Sequence, residues 1–319
     1  MPLPSNDVFE YQLSEFSLRA YDRAVENLIS RFERENDRKL LPKDKKKVGL
    51  KVYSASGAGL STPENLVEAV IQALARRGFE RTDVFITDLH SKRMRESGFL
   101  PPLSHRSEYF NEVFVSPLDT GSYYHELWYY DSPVALPEVN IWTSSGSSKP
   151  FWEKGADDSD RKSFLPMPLM HEVDFWINLP CYSDHPTLGV NGCLMNATIW
   201  NASNTRRFLM NQTNAPVAVA EIGAIPELRE KWALNIVSLE RFQFVGGPVF
   251  NSMYTESEPL VLLSDNPVML DAIMQEKINF YRRANGFAPL PEELKILAFS
   301  EQLGLGDRDV ARMDLINAN

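Results

Sequence analysis

Histidine, cysteine and asparagine crowd one stretch of this chain. Between Pro180 and Asn204 lie Cys181, Asp184, His185, Asn191, Cys193, Asn196, Asn201 and Asn204, followed by Arg206 and Arg207. Histidine is the side chain most easily tuned for proton transfer near neutral pH. Of His90, His105, His125, His171 and His185, the last is best placed to act as catalytic acid or base, because it follows an apolar strand directly. Asn191 and Asn196 each carry donors and an acceptor with which to orient a polar ligand. Cys181, His185 and Cys193 supply three metal-ligand types, but their spacing matches no standard zinc pattern. The structural alternative is two small buried thiols and a hydrogen-bonded imidazole. Asn196, Asn201 and Asn211 each begin an Asn-x-Ser/Thr triplet, a glycosylation pattern that also arises often by chance.

A second candidate is the turn from Ser54 to Thr62, which contains Gly57 and Gly59. It runs into Thr62, Pro63 and Glu64, which read as an N-cap hydroxyl, a proline at the first helical position and a first-turn acid. The free N–H groups and dipole of such a helix end favour an anion. The pattern is neither G-x-G-x-x-G nor a P-loop, and a tight turn needing small residues explains the glycines as well. Asp88 ends the next strand, where a dinucleotide-binding fold places its ribose-binding acid; capping a turn is the plainer role. No G-x-S-x-G elbow and no H-E-x-x-H is present, so serine-hydrolase and zincin chemistry lack support.

These groups need a scaffold, and the pattern of apolar residues describes one. Residues 9–38 have near-helical apolar spacing. A short strand at Val48–Tyr53, a helix from Asn65 to Arg77 stopped by Gly78, and a strand at Asp83–Asp88 form a βαβ unit, which implies a parallel sheet. Further strands are expected at Val173–Pro180, Trp232–Val237 and Leu260–Ser264, with helices opening at Asn266-Pro267 and running from Pro291 to Leu303. The expected architecture is α/β: a mostly parallel sheet flanked by helices in Rossmann-like layers. Residues 1–47 form an N-terminal helical segment and residues 48–319 a single domain. An irregular, aromatic-rich insertion at about 100–165 includes Tyr123, Trp128, Trp142, Phe151 and Trp152, with Ser144–Ser148 and Asp157–Asp160 as solvated loops. In such sheets ligands bind beyond the carboxyl ends of the strands, where Gly57, Gly59, Thr62, Asp88, His185, Asn191 and Asn196 fall.

Bulk composition narrows the partners. The 319 residues carry 33 Lys and Arg against 43 Asp and Glu, a formal charge of −10 that disfavours nucleic acid and anionic membranes. Two cysteines do not make a disulfide scaffold. No apolar run approaches the roughly 20 residues of a membrane span. Residues 1–6 lack the charged and apolar regions of a signal peptide, so the chain reads as cytoplasmic as it stands, or exported if a leader has been removed.

Several segments taken in order resemble the bacterial domain-of-unknown-function family 362. They are residues 48–52, 61–70, 173–180 with Asp184 and His185, 189–192 with Asn196, 220–221 with 225–226, 234–237, 246–248, 266–271 and 303–306. The resemblance implies an α/β fold and little settled biochemistry. It adds Lys51 to the ligand-binding candidates, and Lys51, His185, Asn196 and Asp271 match the family pattern. Ser183 and Met195 stand where that pattern has lysines, Asn191 where it has threonine, and Ser238 and Asn266 where it has aspartates. Members often carry ferredoxin-like cysteine clusters, which this chain lacks.

The leading expectation is a protein that binds a small polar or anionic molecule at the strand ends, with catalysis left open. Gly57–Thr62 would hold the anion, His185 would move a proton, and Asn191 and Asn196 would orient the ligand. A metal- or cofactor-dependent oxidoreductase or isomerase is the second reading, although no cofactor is named by the residues. A non-catalytic interaction module using the aromatic stretch 123–152 is the third. Homo-oligomerisation stays open.

Overall fold

The computed structural model describes residues 3–105, 107–120, 122–131, 162–209 and 214–319. Strand β1 (Asp7–Gln12) precedes helix α1 (Leu18–Glu35). Next come β2 (Val48–Val52), α2 (Glu64–Arg76), β3 (Val84–Asp88), α3 (Ser91–Glu96), β4 (Tyr109–Phe110), β5 (Val113–Pro117), β6 (Tyr129–Asp131) and β7 (Lys162–Phe164). After β8 (Phe175–Leu179), β9 (Ser183–His185) and β10 (Gly189–Asn191) come four short helices: α4 (Cys193–Ala197), α5 (Arg206–Leu209), α6 (Ala215–Gly223) and α7 (Pro226–Arg229). The chain finishes with β11 (Trp232–Ser238), β12 (Phe242–Gln243), β13 (Thr255–Glu256), β14 (Leu260–Ser264), α8 (Pro267–Ala284), α9 (Lys295–Gln302) and β15 (Asp314–Asn317).

The main sheet has nine strands in the order β15-β1-β14-β11-β8-β2-β3-β5-β4. Its centre, β11-β8-β2-β3-β5, is parallel throughout. Antiparallel pairing brings in β14 and β1 on one side and β4 on the other. The fold is therefore mixed α/β with a large, mostly parallel sheet. A second sheet has the order β10-β9-β12-β13, and β6 pairs with β7 alone.

The central strands are mostly apolar, with Lys51, Thr87, Asp88 and Asn178 as the polar members, because both faces of the sheet are covered. Every residue of β2, β3 and β8 is buried. On one face, Tyr21, Val25, Leu28 and Phe32 of α1 and Leu66, Val70 and Leu74 of α2 pack on Leu50, Ile86 and Ile177. On the other, residues of α4, α6, α8 and α9 pack around Trp176, Val237 and Leu262.

The N-terminal segment differs from the helical expectation. Residues 7–12 form a strand inside the main sheet, between β14 and β15. Val8 enters one core and Phe9 the other, which is the period-two signature of a strand covered on both faces. Helix α1 starts only at Leu18, after the Ser17 side chain accepts from Ala20 N. Within the expected insertion, β5 is a main-sheet strand parallel to β3. Trp142, Phe151, Trp152, the loops 144–148 and 157–160, and Asn211 lie outside the described residues.

Candidate functional site

Three of the expected site residues meet at the carboxyl ends of β2 and β3. Lys51 is fully buried, and its Nζ donates to Asp88 Oδ1 at 2.5 Å, Asn196 Oδ1 at 2.8 Å and Val52 O at 2.8 Å. All three ammonium protons are thereby used. Burial pulls the Lys51 amine below its ordinary value, and the adjacent Asp88 carboxylate opposes that pull. The other oxygen of Asp88 accepts from Ser54 N and Ser54 Oγ at 2.8 and 2.5 Å.

The network continues through groups that sequence reasoning missed. Asn196 Nδ2 donates to Asn178 Oδ1 at 2.8 Å, and Asn178 Nδ2 donates to Asn235 Oδ1 at 2.9 Å and to Cys193 O. Asn178 and Asn235 are lone amides inside the apolar stretches of strands β8 and β11, which is the sequence signal that could have found them. At the other end of α4, Asp271 accepts from Cys193 N at 2.7 Å, Leu194 N at 3.1 Å and the Tyr182 hydroxyl at 2.7 Å. Burial pushes the Asp271 carboxyl up to about 7 despite these donors. Helix α4 is thus held between a carboxyl at its N-terminus and an amide–ammonium network beneath its C-terminal half. The triplets beginning at Asn196 and Asn201 sit in this region with both asparagines fully buried, which leaves no room for a glycan.

His185 and Asn191 occupy the hairpin β9–β10, where His185 pairs with Gly189 and Asn191 with Ser183. The imidazole Nδ1 accepts from Thr187 N and Leu188 N, both at 3.2 Å. That arrangement makes Nε2 the protonated nitrogen. Burial lowers the imidazole to about 4, so it is neutral at physiological pH. Asn191 Oδ1 accepts from Trp200 Nε1 at 2.8 Å.

Cys181, His185 and Cys193 are not gathered around a common point. Both thiols are free and buried. Cys181 Sγ contacts Arg241 O at 3.5 Å, whereas Cys193 Sγ meets the Tyr182 hydroxyl at 3.1 Å. Burial pushes the Cys181 thiol up to about 12. Among the described residues no three His, Cys, Asp or Glu side chains are arranged to hold a metal ion.

The glycine turn behaves differently from the buried network. Gly57 adopts φ +80°, and its N–H donates to Ser54 O at 2.8 Å. Gly59 lies under Phe250; a Cβ there would fall 2.3 Å from the ring carbons. Thr62 is not the helix cap. Its hydroxyl accepts from Tyr53 N at 2.8 Å and donates to Leu179 O at 2.5 Å, tying the turn to the end of β8. The N-cap position falls to Pro63, which has no side chain able to cap. The N–H groups of Glu64 and Asn65 therefore have no partner among the described residues.

That uncapped end opens on a cleft of about 480 Å³, whose walls include Ser61, Asn65, Arg95, Ser97 and Arg241. Ser97 is 5% exposed, and its hydroxyl is buried with no partner among the described residues. The Arg241 guanidinium is exposed and makes only long contacts, to Ala58 O at 3.4 Å and Gly59 O at 3.5 Å. Glu64, Glu96 and Glu240 share the walls, so both signs of charge face the space. Arg241 and Ser97 carry no motif and were missed. A larger groove of about 1320 Å³ lies between α8 and α9. Its Arg308 and Arg312 are already paired with Glu293, Glu301, Asp307 and Asp309.

No family model matches this chain, and no curated protein matches it. No helix among the described residues is long and apolar enough to cross a membrane.

Proposed function

We propose that this protein binds a small, singly charged organic acid in the cleft where α2 begins. The observation that carries the reading is the uncapped N-terminus of α2, which shares a cleft with the exposed Arg241 and with Arg95, itself bonded to Pro101 O. Unpaired N–H groups at a helix start attract negative charge. The three glutamates disfavour a multiply charged anion by like-charge repulsion.

Sheet topology supports the same location. Numbered along the chain, the parallel strands β2, β3, β5, β8 and β11 lie in the order 3-2-1-4-5. A Rossmann-like layering with that order has its switch point between β2 and β8, and ligands bind beside such points. The Thr62–Leu179 hydrogen bond ties the turn across that point. Kinship with the domain-of-unknown-function family 362 belongs to the same reading: of the matched positions, Lys51, Asn196 and Asp271 are the groups that hold α4. His185 lines no part of the cleft, so the reading assigns binding and no catalytic step.

Titration with acetate, followed by backbone amide NMR, tests it. Saturable shifts of the Glu64 and Asn65 amides are expected. Their absence at acetate concentrations up to tens of millimolar would exclude the site.

A further inference from the structure

The acid-binding cleft does not end at Arg241. A second cleft, of about 520 Å³, shares Glu240 and Arg241 with it and is otherwise lined by Phe16, Phe250, Ser252, Thr255, Glu256 and Ser257. We infer that the ligand is an aromatic acid, with its carboxylate at the start of α2 and its ring against Phe250. This inference rests on the acid-binding reading and names the class of acid.

Phe250 is a prepared contact surface. It sits on Gly59, where no other residue type leaves room for the ring. The loop that carries it is strapped on both sides by Gln243, which is fully buried. Gln243 Nε2 donates to Val249 O at 2.9 Å, and Gln243 Oε1 accepts from Asn251 N at 2.7 Å. The Ser56 hydroxyl adds a bond to Pro248 O. A side chain held in place before binding loses little freedom when a ligand meets it. Yet the ring remains 38% exposed, with nothing covering its outer side among the described residues. Aromatic rings gain from offset or edge-to-face contact beyond simple area burial.

The groups between the two clefts are also fixed. Glu240 accepts from the Tyr21 hydroxyl at 2.8 Å, and Phe16 packs against the Tyr21 ring with centroids 6.5 Å apart. Arg241 has no carboxylate partner among the described residues. It is free to pair with an acid on one side while its planar guanidinium offers a stacking face on the other. An acid carrying an aromatic ring can meet groups of both clefts around Arg241, whereas acetate has no ring to offer the second.

Phenylacetate, acetate and benzyl alcohol, titrated in parallel by amide NMR, separate the possibilities. Phenylacetate is expected to bind at least fivefold more tightly than acetate and to shift amides near Phe16 and Phe250 as well as Glu64 and Asn65. Benzyl alcohol, which lacks the charge, is expected not to saturate. Phe250→Ala, a change at a partly exposed ring, should abolish the advantage of phenylacetate over acetate. Equal affinities for the two acids, or a ratio unmoved by Phe250→Ala, would overturn the aromatic class while acid binding stands. If neither acid shifts Glu64 and Asn65, both readings fall.

Discussion

Two polar regions lie at the carboxyl side of the sheet, and they differ in how their hydrogen bonds end. Around α4, the charged and amide groups meet protein partners, with the Asn201 amide oxygen the exception among the described residues: Lys51 uses all three protons, and Asp271 accepts three donors. At the start of α2, two backbone N–H groups and the Arg241 guanidinium lack a strong partner among the described residues. The first region resolves the cost of burying polar groups internally, and the second leaves capacity for something else. A lysine next to an aspartate thus marks packing here, and the proposed ligand site falls at an ordinary helix start instead.

If that contrast is right, the largest effect of any single change should come from Lys51→Met. It leaves the Asp88 carboxylate, 1% exposed, without its cation. Removing one partner of a buried ion pair costs about 3–5 kcal/mol, read as a fall in the urea midpoint. Adding Asp88→Asn should restore part of that loss, because the residual buried charge is gone. A single variant within about 1 kcal/mol of the parent would mean that Lys51 is free to serve a ligand after all.

Much of the scaffold is legible in the residue pattern, and the reasons are local. Short, mostly apolar runs at β2, β3 and β8 announce strands covered on both faces, and Asn266-Pro267 announces α8, where Asn266 does cap Met269 N. The strand at residues 7–12 is not legible, because its few apolar residues run straight into the helical spacing of α1. Nor is the role of Thr62, whose hydroxyl suits a cap but finds Leu179 O across the sheet instead. The site residues divide the same way. Lys51, Asp88 and Asn196 come together, but a sequence does not say whether a polar group's partners are internal. Arg241 and Ser97 carry no motif, and only the fold brings them to one cleft.

An intermediate effect, and one that depends on pH, is expected from Asp271. Its carboxyl rises from the ordinary 3.8 to about 7 in the folded chain. The folded state holds the proton more tightly, so this group's contribution is full below 3.8 and is lost as pH climbs through about 7. His185 works in the opposite direction. Its imidazole falls from 6.5 to about 4, so its contribution is full above 6.5 and is lost as pH drops through about 4. Asp271→Asn should cost about 1–3 kcal/mol, since an amide cannot accept all three donors. It should also flatten the decline in urea midpoint between pH 5 and pH 8, leaving the acid-side loss from His185. An unchanged slope would mean that the carboxyl is ionised throughout and stabilised by its donors.

The smallest effect on stability, and the sharpest test of the contrast, comes from Arg241→Gln. The side chain is exposed and its contacts are long, so the folded state should change by no more than about 0.5 kcal/mol. Acetate affinity should nevertheless fall at least several-fold, because the variant removes the cation opposite the α2 N–H groups and leaves Glu240 beside them. Lys51→Met and Arg241→Gln therefore predict opposite patterns: one loses the fold, the other only the ligand. Loss of stability without loss of binding in Arg241→Gln would make this arginine a strap on the Ala58–Gly59 carbonyls. The charge recognised at the cleft would then have to come from α2 and Arg95.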